Sequence, residues 1–193
     1  NQAIPKDLAP PESLGQQIDQ FEILELIGKG GMGTVYKARD TVLRREVAIK
    51  CILPQFVGQV VARERFLREA RSASSLDHPN IGQVYGTGEF RGQLYLVMPY
   101  YSGKSLKEVL RKNGRVLSKI ALPWFLDVAR GLSHAHQHGL IHRDIKPGNL
   151  LLTAEDRIRI LDFGLVKLAT GLETLRLTRE GEIIGSFDYM SPE

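Results

Sequence analysis

The 193-residue sequence predicts an α+β fold, in which a small β-rich lobe precedes the first part of a helical lobe. Two observations lead to this prediction. Segments with the composition of strands dominate the first hundred residues, whereas apolar residues at helical spacing dominate after position 105. We predict a hinge between them, which gives four regions: a flexible lead-in at 1–17, an N-terminal lobe at 18–98, the hinge at 99–104 and a partial C-terminal lobe at 105–193.

The N-terminal lobe is predicted to be a five-stranded antiparallel sheet with one helix. Five segments are rich in β-branched and aromatic residues and are bounded by turn residues, as strands are. These segments are 21–27, 34–38, 46–52, 81–89 and 93–99. Between the third and the fourth, Phe66, Ala70 and Ala73 recur on one side of a predicted helix at 62–76.

The remaining elements follow from the same kinds of pattern. Residues 1–17 contain several prolines and no apolar periodicity, which predicts a flexible lead-in. Helices are predicted at 105–112 and 118–137, and Gly139 ends the second one. Pro123 lies in the first turns of that helix, where a missing N–H group is tolerated best.

Composition and charge exclude several classes of protein. An apolar fraction of 42% and a charged fraction of 25% are ordinary for a globular domain. No apolar run reaches the roughly 18 residues of a membrane span, so we expect no membrane segment in this chain. The net charge of +4 is modest and scattered, which argues against nucleic-acid binding. The single Cys51 cannot form an internal disulfide, so a reducing, cytoplasmic location is expected.

A pair of histidines one helical turn apart, His134 and His138, raises the possibility of a metal site. No cysteine or carboxylate cluster accompanies them. We therefore interpret them as residues at the end of the second helix.

A glycine cluster at 28–33 is the first signal of chemistry. Its three spaced glycines allow the backbone to approach a phosphate closely, although the pattern G-x-G-x-x-G is weak by itself. A dinucleotide-binding turn would need a helix after it, whereas a strand-like segment follows here. A flap over a nucleotide and a hairpin without function both remain open at this point.

Lys50 is the second signal, because it lies in the otherwise apolar strand Val47-Ala48-Ile49-Lys50. Burial of an ammonium group is costly unless anions accompany it, and the phosphates of a nucleotide together with a carboxylate would supply them. A lysine that extends to solvent is the alternative.

Two further motifs are Ile141-His142-Arg143-Asp144-Ile145-Lys146-Pro147-Gly148-Asn149 and Leu161-Asp162-Phe163-Gly164. With the glycine cluster, the Lys50 strand and the final Met190-Ser191-Pro192-Glu193, the chain resembles the eukaryotic-type serine/threonine protein kinases, and the bacterial group among them. The resemblance covers 21–193, and five motifs in the family's order make it very specific. It implies a protein-kinase-like fold.

The resemblance implies a role for each matching residue. Asp144 would accept or orient the proton of the substrate hydroxyl, and Lys146 would neutralise charge on the transferred phosphoryl group. Asn149 and Asp162 would hold Mg²⁺. Lys50 would bind the α- and β-phosphates of ATP.

A glutamate on the first helix would steady Lys50. We assign this role to Glu69 rather than Glu64, because Glu69 matches the family's spacing to His78-Pro79-Asn80.

For the adenine of ATP, the resemblance implies contacts along the hinge strand. Met98 would be the gatekeeper, Pro99 would offer its carbonyl to the adenine amine, and the N–H of Tyr101 would read the ring. Relatives usually carry glutamate where this chain has Pro99, but proline keeps the carbonyl. The other expected contacts with the nucleotide are Ile27, Gly28, Gly30, Gly33, Val35, Ala48 and Leu151.

The implied function is transfer of the γ-phosphoryl group of ATP to serine or threonine hydroxyls of a protein substrate. Lys146, two residues after Asp144, resembles the serine/threonine branch. The resemblance also implies an activation segment, with Thr170, Thr174 and Thr178 as candidate phosphorylation sites. As a hypothesis, Glu180 or Glu182 pairs with Arg143.

The family continues beyond the position of Glu193 with further helices, and the sequence begins with Asn1, so we expect a fragment or a short form. Missing helices would expose apolar surface on the second predicted helix. A homodimer, exchange of segments with a neighbour, or marginal stability is then expected. The alternative function is a nucleotide-binding scaffold with little transferase activity.

Overall fold

The computed structural model describes residues 15–31, 33–57, 60–163 and 189. These residues form two compact units. The first contains the described residues up to 74 together with 84–100, and the second contains 75–83 and 101–163 with Tyr189. Each unit is described by itself.

The first unit is built on a six-stranded antiparallel sheet in the order β1-β2-β3-β4-β6-β5. Its strands are β1 (Gln17–Ile18), β2 (Phe21–Gly30), β3 (Gly33–Asp40), β4 (Arg45–Ile52), β5 (Gly86–Phe90) and β6 (Gln93–Pro99). Two helices accompany the sheet, α1 (Pro54–Val57) and α2 (Val60–Ser74). The structure thus contains the predicted sheet and helix, and adds the short strand β1 and the single turn α1.

The sheet begins earlier in the sequence than predicted, because the edge strand β1 precedes the first predicted strand at 21–27. The N–H of Gly15 donates to the carbonyl of Ile23 at 2.9 Å, within the region predicted as a lead-in. The Tyr95 hydroxyl donates to the Asp19 carboxylate, and the Tyr95 ring meets Phe21 edge to face at 6.2 Å. Contacts with a strand 76 residues away therefore order this segment, which local composition does not reveal.

The second unit combines helices with a small sheet. Its elements are β7 (Gly103–Ser105), α3 (Leu106–Asn113), α4 (Ser118–Gln137), a 3-10 turn (Pro147–Asn149), β8 (Leu150–Thr153) and β9 (Ile158–Ile160). The three strands form an antiparallel sheet in the order β7-β8-β9. Ser105 caps α3, because its hydroxyl accepts from the N–H of Glu108 while the Glu108 carboxylate accepts from the N–H of Ser105.

Residues 75–83 belong to the second unit, although the sequence placed them in the N-terminal lobe. The amide of Asn80 donates to the carbonyl of Ile158 at 2.9 Å, and the N–H of Ile160 donates to the carbonyl of Asn80 at 2.8 Å. Ile81 forms a parallel bridge with Ile160. The strand predicted at 81–89 is therefore wrong for its first half, because Ile81 is buried against β9 and the strand itself begins at Gly86.

Helix α4 leaves large apolar side chains exposed in the described part of the chain. Leu122 and Phe125 are 61% and 70% exposed. Among the described helices, none combines the length and apolar character that a membrane crossing needs.

Two glycines differ in the space available for a side chain: Gly33, which begins β3, and Gly28, near the end of β2. Gly33 pairs with Ile52, and a Cβ atom on Gly33 would lie 2.1 Å from the backbone oxygen of Cys51. A Cβ atom on Gly28 would meet nothing within 4 Å. We predict that Gly33→Ala lowers the free energy of unfolding by about 1–3 kcal/mol, as overpacking does.

The matched variant Gly28→Ala should change the free energy of unfolding by less than about 0.5 kcal/mol. Urea denaturation of both variants, followed by circular dichroism, measures the difference. Equal stabilities would contradict the steric assignment of Gly33.

Candidate active site

The loop that carries Asp144 starts at a well-formed helix end. At the C-terminus of α4, the N–H of Leu140 donates to the carbonyl of Ala135, and the N–H of Gly139 donates to that of His136, both at 2.9 Å. Gly139 adopts φ 73°, which glycine accepts without strain. The helix therefore fixes the direction in which the loop leaves it.

His142 joins this loop to the residues after β9. Its side chain is buried, its Nδ1 accepts from the N–H of Asp144 at 3.2 Å, and its Nε2 lies 2.9 Å from the carbonyl oxygen of Leu161. Because Nδ1 accepts a hydrogen, the ring proton is on Nε2 and the imidazole is neutral. Burial lowers the pKa of His142, which favours the same form.

Three residues predicted for catalysis and metal binding come together in this loop. The Lys146 ammonium lies 2.9 Å from Oδ2 of Asp144. Nδ2 of Asn149 donates to the backbone oxygen of Asp144 at 2.8 Å and to its Oδ2 at 3.2 Å. The Asp144 carboxylate is therefore held between a cation and an amide.

The predicted metal ligands lie at adjoining ends of one hairpin. The N–H of Leu161 donates to the carbonyl of Asn149 at 2.8 Å, so Asp162 follows directly after this bond. Asp162 adopts a left-handed φ of 57°. Because Nδ2 of Asn149 binds Asp144, its Oδ1 is the atom that can bind a cation.

The donor set of these two residues fits magnesium. A side-chain amide oxygen and a carboxylate are hard ligands, and Mg²⁺ is usually held by one or two carboxylates together with phosphates and water. The described residues contain no group of three or more histidine, cysteine or carboxylate side chains arranged for a metal. The rings of His134 and His138 lie 4.5 Å apart at a tilt of 38° in that part of the chain and form no such group.

In the first unit, strand register brings several predicted residues onto one face of the sheet. Lys50 pairs with Val35 across β3 and β4, and Ala48 pairs with Met98 across β4 and β6. Directly paired residues share a face, and so do residues two apart on a strand. The four side chains therefore lie on one face, while Ile49 between them is buried on the other.

The glycine cluster joins this face at a bulge. The register between β2 and β3 shifts between Leu26 and Gly28, so Ile27 has no direct partner in the register and Gly28 pairs with Val35. Gly30 pairs with Gly33 at the end of the hairpin. A bulge bends the strand locally, so the regular pairing of β2 with β3 is interrupted at Ile27.

The other predicted residues are found on neighbouring elements of their own unit. In the first unit, Pro99 ends β6 opposite Val47, and the Glu69 carboxylate on α2 lies 3.5 Å from Nη2 of Arg68. The Lys50–Glu69 pair remains a prediction.

In the second unit, Leu151 lies on β8, and the hydroxyl of Tyr101 accepts from the N–H of Gln83 at 3.3 Å. The Arg159 guanidinium stacks 4.5 Å from the centre of the Tyr101 ring.

Asp127 is a residue that the sequence analysis missed. It is buried on α4, where it binds Arg157 at 2.7 and 2.8 Å and accepts from the N–H of Ile158 at 3.1 Å. Trp124, on the same side of α4, donates to Asp156 at 3.1 Å. The sequence could have indicated it, because Asp127 is an acidic residue at helical spacing with Trp124, Gly131 and Ala135, the positions of α4 that are buried.

Several residues discussed above lie outside the described part of the chain. They are Gly164, Thr170, Thr174, Thr178, Glu180, Glu182 and the final motif from Met190 to Glu193. The pairing of Arg143 with Glu180 or Glu182 therefore stays a hypothesis.

A comparison with family models decides the classification, because the protein kinase domain matches residues 21–193. The chain belongs to the protein kinase domain family. The predicted family and kinase-like fold are thereby confirmed.

Two curated relatives agree with this classification. Serine/threonine-protein kinase PrkC of Bacillus subtilis is 42% identical over 181 residues, which are 93% of this chain and 28% of PrkC. Serine/threonine-protein kinase PknD of Mycobacterium tuberculosis is 38% identical over 180 residues, which are 93% of this chain and 27% of PknD. This kinase-domain chain therefore spans less than a third of either relative.

Solved structures lead to the same family. The kinase domain of Mycobacterium tuberculosis PknI superimposes with a TM-score of 0.70 at 32% identity, covering 82% of this chain and 68% of the PknI chain.

The buried neutral imidazole predicts a pH dependence of stability. The pKa of His142 is lower in the folded chain than in the unfolded chain, so acid protonates the unfolded state first. Stability is complete above the unfolded pKa of about 6.5 and decreases as the pH falls below it, by up to about 1.4 kcal/mol per pH unit.

Urea denaturation of the wild type and His142→Asn between pH 7.5 and 5.5 tests this dependence. The variant should be less stable at pH 7.5 and should lose less stability on acidification. An identical pH dependence in both proteins would contradict the role of His142.

Proposed function

We propose that this chain catalyses transfer of the γ-phosphoryl group of ATP to serine or threonine hydroxyls of a protein substrate. The observation that carries the proposal is the cluster of Asp144, Lys146 and Asn149, which one backbone hydrogen bond links to the segment of Asp162. The relatives PrkC and PknD are named serine/threonine-protein kinases, which supports the same acceptor class.

ATP and Mg²⁺ are the proposed cofactor pair, as is general for the kinase family. From the first unit, Lys50 would bind phosphate oxygens and the backbone at Gly28 and Gly30 would approach the phosphates. A Cβ atom on Gly28 would meet nothing within 4 Å, and one on Gly30 would meet only the Gly33 oxygen at 4.0 Å, which supports this role. Of the second unit, Asn149 and Asp162 would hold Mg²⁺, which supplies positive charge against the phosphates when bound.

The adenine contacts are proposed from the same face of the first unit and from two residues of the second. Val35, Ala48 and Met98 offer an apolar face, and Pro99 offers its carbonyl. Leu151 and the N–H of Tyr101 are the proposed contacts of the second unit. The remaining proposed nucleotide contacts are Ile27 and Gly33.

The reaction requires a base and a charge stabiliser beside the acceptor hydroxyl. Asp144 is proposed to take the hydroxyl proton as the oxygen forms its bond to the γ-phosphorus, while the bond from that phosphorus to the bridging oxygen breaks and ADP leaves. Lys146, already 2.9 Å from Asp144, is proposed to stabilise the charge on the transferred group. Glu69 would orient Lys50.

The location and partners are also proposals. A cytoplasmic location, action on a protein substrate, and self-association through the exposed apolar side of α4 follow from the sequence interpretation. The exposure of Leu122 and Phe125 supports the last of these.

Incorporation of label from radiolabelled ATP tests the proposed transfer. We expect Asp144→Asn to lower the rate of labelling of a serine-containing acceptor protein by about 10²–10³-fold, as loss of one positioned catalytic group does. The matched variant Glu155→Gln, which removes an exposed carboxylate of the same unit, should label at the wild-type rate.

The outcomes separate transfer from binding alone. Label that disappears only in Asp144→Asn supports the kinase activity. A thermal shift with Mg·ATP in the wild type but no label would show a nucleotide-binding scaffold instead. Equal labelling in the wild type and Asp144→Asn would overturn the role of Asp144.

A further inference from the structure

A buried carboxylate outside the catalytic loop, Asp127, has no role in the proposed reaction. Its side chain is 4% exposed, and it lies on the face of α4 that packs against β9. Burial of an ionised carboxylate costs several kcal/mol unless charged and hydrogen-bonding partners surround it. Its contacts therefore indicate what the carboxylate holds in place.

Two partners of Asp127, Arg157 and Ile158, lie where the connection between β8 and β9 ends, and a third, Arg130, lies on α4 itself. Arg157 binds both carboxylate oxygens, with Nε 2.8 Å from Oδ2 and Nη2 2.7 Å from Oδ1. The N–H of Ile158 donates to Oδ2 at 3.1 Å, and Arg130 lies 3.8 Å from Oδ1. Burial acts to raise the pKa of Asp127, but the bonds from Arg157 and Ile158 outweigh it and lower the pKa.

The amide that Asp127 binds belongs to the first residue of β9, a strand of three residues. At its other end, Ile160 packs against Gly131 of α4, and a Cβ atom on Gly131 would lie 2.8 Å from Ile160 Cδ1. The next residue, Leu161, binds the carbonyl of Asn149, and Asp162 follows. The helix therefore holds the strand at two points, just before Asp162 and beside the hydrogen bond that joins Leu161 to Asn149.

We propose that Asp127 is a positioning residue that fixes β9 on α4 and thereby places Asp162 and Asn149 for the magnesium ion. The inference rests on the proposed function, because it takes these two residues as ligands of the metal. Asp127 itself touches neither of them. Its loss should weaken binding of the metal-bound nucleotide and leave binding of the metal-free nucleotide unchanged.

Calorimetric titration of the 193-residue chain with ADP, in the presence of Mg²⁺ and in the presence of EDTA, tests the proposal. Asp127→Asn should raise the Kd for Mg·ADP by about 10-fold, the lower range for loss of a residue that orients metal ligands. The Kd for ADP in EDTA should change by less than about 2-fold, within the usual variation of neutral substitutions.

Trp124→Phe is the matched control. It removes one hydrogen bond between the same helix and the same turn, but that bond ends on Asp156 rather than on β9. Both Kd values should remain at the wild-type level in this variant. A metal-selective loss in Trp124→Phe as large as in Asp127→Asn would overturn the proposal, because any loosening of the turn would then suffice.

A double-mutant cycle distinguishes positioning from general destabilisation. If Asp127 acts through the metal ligands, Asp127→Asn should add little to the loss of Mg·ADP binding that Asp162→Asn causes alone. Additive effects would overturn the proposal.

Arg157→Gln provides a second variant should Asp127→Asn not fold. It leaves the bond to Ile158 intact and changes a side chain that is 55% exposed. It should show a metal-selective loss smaller than about 10-fold, because the N–H of Ile158 still binds Asp127. If Asp127→Asn and Arg157→Gln both fold and neither changes the Kd for Mg·ADP, this inference is overturned while the proposed function stands. Absence of any Mg·ADP binding by the wild type would overturn the proposed function with it.

Discussion

The hydrogen bonds of one buried imidazole hold the chemistry of the second unit together. Nδ1 of His142 accepts a hydrogen bond from the N–H of Asp144, and Nε2 donates one to the carbonyl of Leu161. His142 and Leu161 are 19 residues apart, and each of the two segments bonded to the imidazole carries a residue proposed for catalysis or metal binding. The bond from Asp144 needs an unprotonated Nδ1, so the ring that makes both bonds is neutral, and burial favours that form because a charged ring would lose its hydration. The positions of Asp144 and Asp162 therefore depend on a side chain that takes no part in the reaction.

Backbone atoms make most of the connections around this imidazole. The carbonyl of Asn149 accepts from the N–H of Leu161, and its Nδ2 donates to the backbone carbonyl of Asp144. The same logic explains why Pro99 is compatible with an adenine site. Proline cannot donate to a strand ladder, but it is tolerated at the end of β6 and keeps the carbonyl that the nucleotide would need.

The sequence predicted most of what depends on local pattern. The bounds of β6 and α4 agree with the structure to the residue, because turns and a helix-ending glycine mark them. The motifs also identified Asp144, Lys146 and Asn149, which the fold brings together. A buried Ile81 that bridges to β9 has the same apolar signature as a strand residue, so the strand that the structure has at Gly86–Phe90 was predicted to begin too early. The strand β1 depends on Tyr95, far along the chain, and no local pattern reports such a contact.

Asp127 shows why a part of the site escaped prediction. The sequence motifs contain residues that would contact the nucleotide or the acceptor, whereas Asp127 contacts Arg130, Arg157 and the first residue of β9, Ile158. Its carboxylate is nearly inaccessible, and every bond it makes crosses about 30 positions of sequence to Arg157 and Ile158, apart from the nearby Arg130. Transfer of a phosphoryl group relies on position and charge rather than on a covalent intermediate, so small displacements of the ligands are costly. A buried carboxylate that accepts from the backbone N–H of a strand is suited to that demand, since it resists sliding of β9 along α4 as well as separation from it.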